Sequence, residues 1–339
     1  MTSPASFRVA LTADFYDANG ATKYRDIGLK LFHECSRIVV SQFSEHCPEI
    51  APQQLAGING VIVLTPRVTV QSLAQSHELL AIGRFGVGFD SVDVKACTAA
   101  DVLLFITAGA VDRPVAEATV GWMLALTHHF RMKDRLVREA RWDERSQYMG
   151  SELRDRTLGV IGFGGIGQAL VRLLSGFGMK QPLVFDPFAN PAAVRELGVR
   201  SVTLEELLEQ SDFVSLHCPL NEHTRNLIGA HELGLMKQTA YLINTARGPI
   251  VDEKALYRAL KEGWIAGAGL DVFETEPPVF RDHILLDNVV STPHSAGLSN
   301  QASYAMAMET VSKVITFFRG KAPQNVLNPD VLKKLELSA

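Results

Sequence analysis

Short apolar runs alternate with helical patterns along most of this chain, in two separate series. The first begins with F-R-V-A-L at residues 7–11 and continues through R-I-V-V, G-V-I-V-L, L-L-A-I and V-L-L-F-I. The second begins with T-L-G-V-I-G at residues 157–162 and continues through P-L-V-F-D, F-V-S-L-H, A-Y-L-I-N, G-A-G-L-D and N-V-V-S-T. Such alternation is typical of βα units that build a parallel sheet. The sequence therefore predicts an α/β protein with two doubly wound parallel sheets.

Two domains are expected because 339 residues exceed what one hydrophobic core usually supports. Between the two series, residues 115–132 are largely apolar and follow Pro114, which is typical of the first turn of a helix. Residues 299–318 have apolar side chains at helical spacing and end before Gly320. We predict that these two helices link the domains. The predicted domains are residues 1–108 together with 299–339, and residues 109–298.

The composition excludes several classes of protein. A formal net charge of −4 argues against a general affinity for nucleic acid or for an anionic membrane. The N-terminus has neither a basic segment nor a long apolar one, and no apolar run reaches membrane-spanning length, so a cytoplasmic location is expected. The cysteines lack the spacing of a metal or redox site, which predicts reduced thiols and no metal. They are Cys35, Cys47, Cys97 and Cys218.

A glycine motif opens the second series. Gly162, Gly164 and Gly167 match G-x-G-x-x-G, with the apolar run T-L-G-V-I before them and the helical pattern Q-A-L-V-R-L-L after them. Glycines at these positions tighten the turn and let the backbone approach a pyrophosphate, whose charge is favoured by the helix N-terminus. In this context the motif predicts a dinucleotide site, whereas a lone glycine-rich turn would be a weak signal.

Asp186 ends the next apolar run, about twenty residues beyond the glycine motif. A carboxylate at this position accepts hydrogen bonds from the adenosine ribose hydroxyls and repels a 2′-phosphate. The nearest arginine downstream is Arg195, so no cation directly follows Asp186 to bind such a phosphate. We therefore predict NAD rather than NADP. A turn-forming aspartate before Pro187 is the alternative interpretation.

Two further residues follow apolar runs of the second series. Asp271 closes G-A-G-L-D, and Cys218 comes directly after F-V-S-L-H. Open α/β sheets bind ligands at the carboxyl ends of their strands. We predict a nicotinamide contact for Asp271 and a cofactor contact for Cys218. A buried capping aspartate and a packed cysteine are the alternatives.

Arg247, Glu276 and His294 also follow strand-like runs of the second series. A guanidinium binds a carboxylate through a fixed fork of donors and can polarise a neighbouring carbonyl oxygen. An imidazole titrates near neutrality and can exchange a proton with an alcohol. A glutamate can orient the imidazole and favour its protonated form. Together the three residues predict hydride transfer at an acidic alcohol, although each alone has an ordinary structural explanation.

These motifs resemble those of the D-isomer-specific 2-hydroxyacid dehydrogenases. The resemblance covers nearly the whole chain and includes F-G-V-G-F-D-S-V-D at residues 85–93, G-F-G-G-I-G, H-C-P-L, N-T-A-R-G-P-I-V-D, A-G-L-D-V-F-E-T-E-P-P and P-H-S-A-G. Within the family the chain is most similar in pattern to the phosphoglycerate dehydrogenases. It shares with them R-W and M-G-S-E-L before the glycine motif, and N-V-L-N-P near its C-terminus.

The resemblance implies an NAD-dependent enzyme that interconverts a D-2-hydroxy acid and its 2-oxo acid. It implies a flavodoxin-like substrate domain and a Rossmann NAD-binding domain with the active site in a cleft between them, and a homodimer built through the NAD-binding domain. It makes Arg247 the substrate anchor, His294 the proton donor and acceptor, and Glu276 its partner. The amides of Val87 and Gly88 are expected to bind the substrate carboxylate. The expected NAD contacts are Gly165, Ile166, Asp186, Cys218, Thr245 and Asp271.

The residues that would bind the rest of the substrate depart from the phosphoglycerate dehydrogenase pattern. This chain has Arg84 in common with those enzymes, but A-G-A-V-D-R-P replaces their Asn-Gly-Asn-Ser type of loop. Arg67, Arg84 and Arg113 are candidates for binding a phosphate or another distal polar group, and solvated surface arginines are the alternative. The substrate pairs considered are 3-phosphoglycerate with phosphohydroxypyruvate, or glyoxylate, hydroxypyruvate or a sugar acid. An NAD-sensing corepressor is the alternative of another class.

Overall fold

The computed structural model describes residues 6–335 and residue 337. The chain forms two compact units. The described residues up to Val111 and those from Leu298 onward make the first unit, and Asp112–Gly297 make the second. The sequence predicts the two divisions after residues 108 and 298. The chain thus passes from the first unit into the second and returns.

Each unit contains one sheet in which every strand runs parallel to its neighbours. The strands of the first sheet are β1 (Phe7–Leu11), β2 (Ile38–Gln42), β3 (Gly60–Val63), β4 (Ala81–Arg84) and β5 (Leu103–Phe105). Those of the second are β6 (Leu158–Ile161), β7 (Leu183–Phe185), β8 (Arg200–Ser201), β9 (Phe213–Leu216), β10 (Tyr241–Asn244), β11 (Gly267–Leu270) and β12 (Val289–Ser291).

The strand orders confirm the predicted fold class. The first sheet has the order β2-β1-β3-β4-β5, which is the flavodoxin-like arrangement. The second has the order β12-β11-β10-β9-β6-β7-β8, in which the chain moves outward from β6 on one side and then on the other, as in a Rossmann fold. Both sheets are doubly wound, and the order of the second reverses at β6.

Helices connect the strands in both units. In the described residues they are α1 (Leu29–His33), α2 (Val70–Leu73), α3 (Val94–Ala99), α4 (Asp112–Thr127), α5 (Phe130–Arg138), α6 (Gly165–Leu174), α7 (Pro191–Glu196), α8 (Leu204–Gln210), α9 (Ala230–Leu235), α10 (Glu253–Lys261), α11 (Asn300–Phe318) and α12 (Asp330–Lys334).

The single helix predicted over residues 115–132 is instead two helices. It begins earlier, at Asp112, and α4 ends at Thr127 before α5 starts at Phe130. The break falls at His129, whose φ of 53° is left-handed and interrupts the helical path. The apolar composition did not reveal this break, because the side chains on both sides of it suit a helix.

Opposite faces of the first sheet are covered by different helices. On β3, Ile62 packs in one apolar cluster with Val311 of α11. Val61 and Val63 belong to another cluster, with Leu73 of α2. Successive strand residues point to opposite faces, so each face of β3 has its own apolar partners. The helix α11 therefore contributes to the core of the first unit.

The second unit places its ligand-binding edge near β6. Helix α6 follows β6 directly, and α4 packs against α6 and β11. This packing is close, since a Cβ on Gly269 of β11 would lie 3.0 Å from the Cβ of Trp122 in α4. Open α/β sheets bind ligands beyond the carboxyl ends of the strands, where the strand order reverses. The region past β6 and β9 is therefore the expected site.

The described residues contain neither a membrane-spanning helix nor a cluster of metal ligands. None of the described helices combines the length and apolar character needed to cross a membrane. Within residues 6–335, His, Cys, Asp and Glu side chains form no group of three or more that could hold a metal ion.

Candidate active site

The glycine motif forms a tight turn between β6 and α6. Gly162 has a φ of 92°, and a Cβ there would lie 2.5 Å from the backbone nitrogen of Cys218. A Cβ on Gly167 would lie 2.5 Å from the carbonyl oxygen of Gly162. Both positions therefore require glycine, one because the turn crowds the end of β9 and the other because α6 packs closely on the turn.

The outer side of the same turn is open. A Cβ on Gly164 would meet nothing within 4 Å. Because Gly164 is the N-cap residue, the helix that begins at Gly165 has no side-chain cap. Gly165 and Ile166 are the first two residues of α6 and lie partly or fully exposed. The N–H groups of a first helical turn have no partner within the helix and favour anions. The turn thus fits the pyrophosphate of a dinucleotide.

Asp186 connects the end of β7 to the glycine turn. Its Oδ2 accepts a hydrogen bond from the Phe163 backbone N–H at 2.7 Å, and its Oδ1 accepts one from the Phe188 N–H at 2.8 Å. Each carboxylate oxygen has a second lone pair, which leaves capacity to bind ribose hydroxyls. The structure therefore fixes the predicted carboxylate beside the turn, where its contact with NAD stays a prediction.

Cys218 and Thr245 lie past the ends of β9 and β10 and flank His217, which the sequence reasoning did not single out. The imidazole of His217 lies 2.9 Å from Ser215 Oγ through Nε2 and 3.4 Å from Thr245 Oγ1 through Nδ1. Burial lowers the pKa of His217 to about 3 and raises the pKa of the Cys218 thiol to about 11. Both side chains are therefore uncharged at neutral pH, so they add no charge to this edge of the sheet.

Arg247 lies just past β10 in a turn shaped by Asn244. The Asn244 side chain donates to the Arg247 carbonyl oxygen at 2.9 Å and accepts from the Ala246 N–H at 3.1 Å. Arg247 Nη1 donates to the Ala246 carbonyl oxygen at 2.6 Å. Asn244 is 1% exposed, so this buried amide sets the path of the backbone that carries the arginine. Arg247 as a whole residue is half-buried.

Glu276 and His294 form a direct pair. Glu276 Oε2 lies 2.7 Å from His294 Nδ1, and Glu276 Oε1 accepts from the Phe273 N–H at 3.2 Å. Burial on its own would raise the pKa of Glu276, but the hydrogen bond and charge of His294, the Phe273 N–H and the charge of Arg247 lower it overall. Glu276 therefore stays ionised at neutral pH, and its bond to Nδ1 leaves Nε2 of His294 for another partner.

Asp271 holds the loop that presents His294. Its carboxylate is 1% exposed and accepts hydrogen bonds from Thr292 Oγ1 at 2.5 Å and from the Ser295 and Ala296 N–H groups, both at 2.8 Å. The His294 N–H donates to the Asp271 carbonyl oxygen at 2.8 Å. These bonds maintain a left-handed φ of 49° at His294, which a non-glycine residue rarely adopts. The nicotinamide contact of Asp271 stays a prediction.

Two buried residues behind the Glu276 loop were missed by sequence reasoning. Glu253 at the start of α10 is 7% exposed, and its Oε1 accepts from the Glu274 N–H at 2.7 Å. The imidazole of His283 is fully buried, and its Nε2 lies 3.9 Å from Glu253 Oε1. In sequence, Glu253 has the pattern of an ordinary first-turn acid of a helix, and nothing distinguishes His283 from a loop histidine.

A mostly apolar pocket of about 430 Å³ opens beside the Glu276–His294 pair. The side chains of His294 and Glu276 are 48% and 38% exposed, so the pair lies at the mouth of this pocket, where solvent and a small ligand can reach it. Its lining residues are Phe273, Glu276, Pro277, Pro278, Ile284, Ser291, Thr292, Pro293 and His294.

The predicted substrate residues of the first unit lie on two segments. Val87 and Gly88 are half-buried in the loop after β4, and Arg84 at the end of β4 donates from Nη1 to the Phe85 carbonyl oxygen. Arg67 is exposed in the segment after β3. The assignment of these four residues to substrate binding stays a prediction.

Arg113 belongs to the second unit, in the first turn of α4. Its Nε lies 2.6 Å from Glu117 Oε1, and both side chains are largely exposed. Such an i,i+4 pair is an ordinary feature of a helix surface. The solvated-surface interpretation therefore has direct support at this residue.

Residues 120–296 match the family model described as D-isomer specific 2-hydroxyacid dehydrogenase, NAD binding domain. The chain is 42% identical to the glyoxylate reductase of Korarchaeum cryptofilum, over 80% of this chain and 83% of that protein. It is 39% identical to the D-3-phosphoglycerate dehydrogenase of Methanocaldococcus jannaschii, over 77% of this chain and 50% of that protein. This chain belongs to the D-isomer specific 2-hydroxyacid dehydrogenases.

A solved structure agrees with this membership. The D-lactate dehydrogenase of Aquifex aeolicus, complexed with NAD and lactic acid, matches with a TM-score of 0.80 at 28% identity, over 96% of this chain and 98% of that one. The protein is therefore an NAD-dependent oxidoreductase acting on 2-hydroxy or 2-oxo acids. The family, the enzyme class and the cofactor predicted from the sequence are confirmed.

Proposed function

We propose that this enzyme reduces glyoxylate, or the similar hydroxypyruvate, to the corresponding 2-hydroxy acid with NADH. The observation that carries the chemistry is the 2.7 Å contact between Glu276 and Nδ1 of His294. The relatives support this substrate class over 3-phosphoglycerate. The glyoxylate reductase of Korarchaeum cryptofilum has a higher sequence identity to this chain than the D-3-phosphoglycerate dehydrogenase has, and a larger share of its length is matched. Glyoxylate or hydroxypyruvate is thus favoured over phosphohydroxypyruvate.

His294 supplies the proton of the reduction. When bound, NADH provides the hydride that is added to C2 of the 2-oxo acid. As negative charge develops on the carbonyl oxygen, Nε2 of protonated His294 donates its proton to that oxygen, and the ring is left neutral. Glu276 keeps Nδ1 as the other protonated nitrogen and stabilises the cationic ring before transfer. Solvent then restores the proton.

Arg247 provides the fixed positive charge of the site. Its guanidinium is suited to pair with the substrate carboxylate and to offset charge on the carbonyl oxygen during transfer. The charge of Arg247 also acts on Glu276, where it lowers the pKa of the carboxyl. Arg247 therefore helps to keep ionised the same carboxylate that orients His294.

One of the three arginines that were candidates for binding a substrate phosphate already has another partner. Arg113 is paired with Glu117 on an exposed helix surface. Glyoxylate and hydroxypyruvate carry no phosphate, so they do not need this arginine. Because one relative is the D-3-phosphoglycerate dehydrogenase of Methanocaldococcus jannaschii, phosphohydroxypyruvate is the substrate against which glyoxylate and hydroxypyruvate should be compared.

Oxidation of NADH with a panel of 2-oxo acids tests the substrate. We expect a higher kcat/KM for glyoxylate or hydroxypyruvate than for phosphohydroxypyruvate or sugar-derived acids. A higher value for phosphohydroxypyruvate would reject the proposal in favour of a phosphoglycerate dehydrogenase. Binding of NADH without turnover of any acid would favour the corepressor alternative.

The variant His294→Ala tests the mechanism. We expect kcat to fall by roughly 10² to 10⁴-fold, because the proton donor is lost, while the dissociation constant of NADH changes little. Stopped-flow turnover and NADH fluorescence titration measure the two quantities. His223→Ala, at a largely exposed histidine of the same unit, is the control. Unchanged kcat in His294→Ala would reject the assigned role.

The proposal includes a homodimer built through the NAD-binding unit. Four large apolar side chains in residues 130–149 are exposed, and α5 packs with the turn Trp142–Tyr148 that follows it. Exposed apolar residues concentrated in one segment are typical of an interface. They are Phe130, Val137, Trp142 and Met149, with exposed fractions of 54%, 62%, 62% and 76%.

A further inference from the structure

The carboxylate of Asp112 lies directly in front of the helix that follows the glycine turn. Asp112 is the first residue of α4, and a Cβ on Gly165 would lie 1.9 Å from its Oδ2 and 2.8 Å from its Oδ1. Gly165 is the first residue of α6. The carboxylate therefore fills the space next to the N-terminus of α6, and any larger residue at position 165 would displace it.

This is the position at which a Rossmann fold binds the pyrophosphate of its dinucleotide. The N-terminus of a helix favours negative charge, and the first turn of α6 offers its N–H groups beside the open side of Gly164. The Asp112 carboxylate is itself an anion at the start of both α4 and α6. It therefore has the same charge as the group that the site must bind.

Other side chains do little to neutralise Asp112. Within residues 6–335, no hydrogen bond or ion pair of its carboxylate is found, and burial raises its pKa. Arg113, the next residue, is already paired with Glu117. The negative charge thus lies beside the N-termini of α4 and α6, and within the described residues it lacks a cation that would cancel its effect on a neighbouring phosphate.

We propose that the Asp112 carboxylate competes with the pyrophosphate of NADH for the N-terminus of α6, so that it weakens cofactor binding and speeds cofactor release. When the dinucleotide binds, like charges come together in a partly buried place, where water screens them weakly. The oxidised cofactor has the same pyrophosphate and must leave after each turnover. Asp112 is therefore a residue that sets cofactor affinity rather than one that takes part in hydride transfer.

The inference rests on the cofactor site of the proposed reaction, and ligand binding tests it without turnover. We would titrate the full-length protein and Asp112→Asn with NADH, with ADP-ribose and with adenosine, which has no phosphate. Asparagine has the same shape but no charge. We expect Asp112→Asn to bind NADH and ADP-ribose about tenfold more tightly, with slower dissociation in stopped-flow measurements, and to bind adenosine equally well.

Glu205→Gln is the matched control, because Glu205 is an exposed acid in the first turn of α8 in the same unit. It should leave all three affinities unchanged. Equal or weaker binding of NADH by Asp112→Asn would overturn the proposal, and so would an equal gain for adenosine. Failure of the proposed function is seen separately, as absence of 2-oxo acid reduction by the unmodified protein.

Discussion

Gly248 brings two parts of the candidate active site together although it has no side chain. It follows Arg247, and a Cβ at this position would lie 1.9 Å from the Phe273 carbonyl carbon and 2.4 Å from the Glu274 backbone nitrogen. The segment it touches leads directly to Glu276. The backbone after β10 can therefore approach the backbone after β11 this closely only when residue 248 is glycine, and the two segments that meet here carry Arg247 and Glu276.

The variant Gly248→Ala should reduce both stability and activity. The added methyl group would push the two backbone segments apart, which we expect to cost about 3 kcal/mol in the free energy of unfolding. The larger effect should be on kcat, because Arg247 and Glu276 would move relative to each other. Urea unfolding and steady-state kinetics measure the two effects.

Gly234→Ala is the control for this variant, because a Cβ on Gly234 would meet nothing within 4 Å. Alanine favours helix over glycine, so Gly234→Ala should be neutral or slightly stabilising. If Gly248→Ala retained full activity, the close approach would not be what positions the two side chains.

Asp271 illustrates what single residues in the sequence revealed and what they did not. The apolar run before Asp271 predicted that it ends a strand. That position in turn predicted that it lies at the edge of the sheet where the cofactor is expected. Its three hydrogen bonds to residues 292–296 depend on the path of a loop more than twenty residues away in the chain. No local pattern encodes that path, so the support it gives to His294 was found only in the structure.

The loop between β11 and β12 is fixed from behind by α10. Glu253, at the first position of α10, accepts from the Glu274 N–H, and this bond ties the helix to the loop that carries Glu276. Burial raises the pKa of Glu253, whereas the Glu274 N–H lowers it. His283 lies in the same loop and stacks on Phe280, with ring centroids 5.2 Å apart. The hydrogen bond of Glu253 and the ring stacking of His283 thus both fix the loop that carries Glu276.

His283 should make the stability of the protein depend on pH. Burial lowers its pKa from 6.5 to about 4, so the folded state resists a proton that the unfolded state accepts. Stability is therefore complete above pH 6.5 and falls as the pH drops toward 4, by roughly 3 kcal/mol. We expect His283→Phe, which retains an aromatic ring against Phe280, to remove most of this loss. Urea unfolding at pH 4 to 7.5 measures it.

The same substitution at the exposed His231 serves as the control for loss of a histidine at the surface. If the free energy of unfolding of His283→Phe depended on pH in the same way as that of the unmodified protein, the conclusion that His283 is buried as a neutral imidazole would be wrong. The comparison uses the difference between variants, because other buried histidines, such as His217, contribute to acid sensitivity in all of them.

The sequence predicted helices and strands well where the spacing of apolar residues and the length of the run both indicated the same type of element. Buried strands such as β6 and β10 are short apolar runs bounded by turns, and both faces of each are covered. The exposed two-residue strand β8 has no apolar signal and was missed. The break between α4 and α5 was also missed, because it depends on one left-handed residue rather than on a change in composition.

At the scale of the whole molecule, Trp142→Arg tests the proposed dimer. A charged side chain at the proposed interface would have to be buried without a partner on association, so we expect the variant to shift the mass from dimer to monomer. Light scattering after size-exclusion chromatography measures it. Val70→Arg, at a 61% exposed position of the first unit, is the control. A monomeric unmodified protein would reject the dimer itself.

The order in which strands join the second sheet has a consequence for synthesis. The three residues of the proposed mechanism follow β10, β11 and β12 in turn, and β12 lies at the edge of the sheet beside β11. The glycine turn and its neighbouring strands leave the ribosome first, since chains are made from the N-terminus. A growing chain can therefore possess its dinucleotide turn well before it possesses a proton donor. On the proposed mechanism, the set of three residues is complete only after β12 has paired with β11.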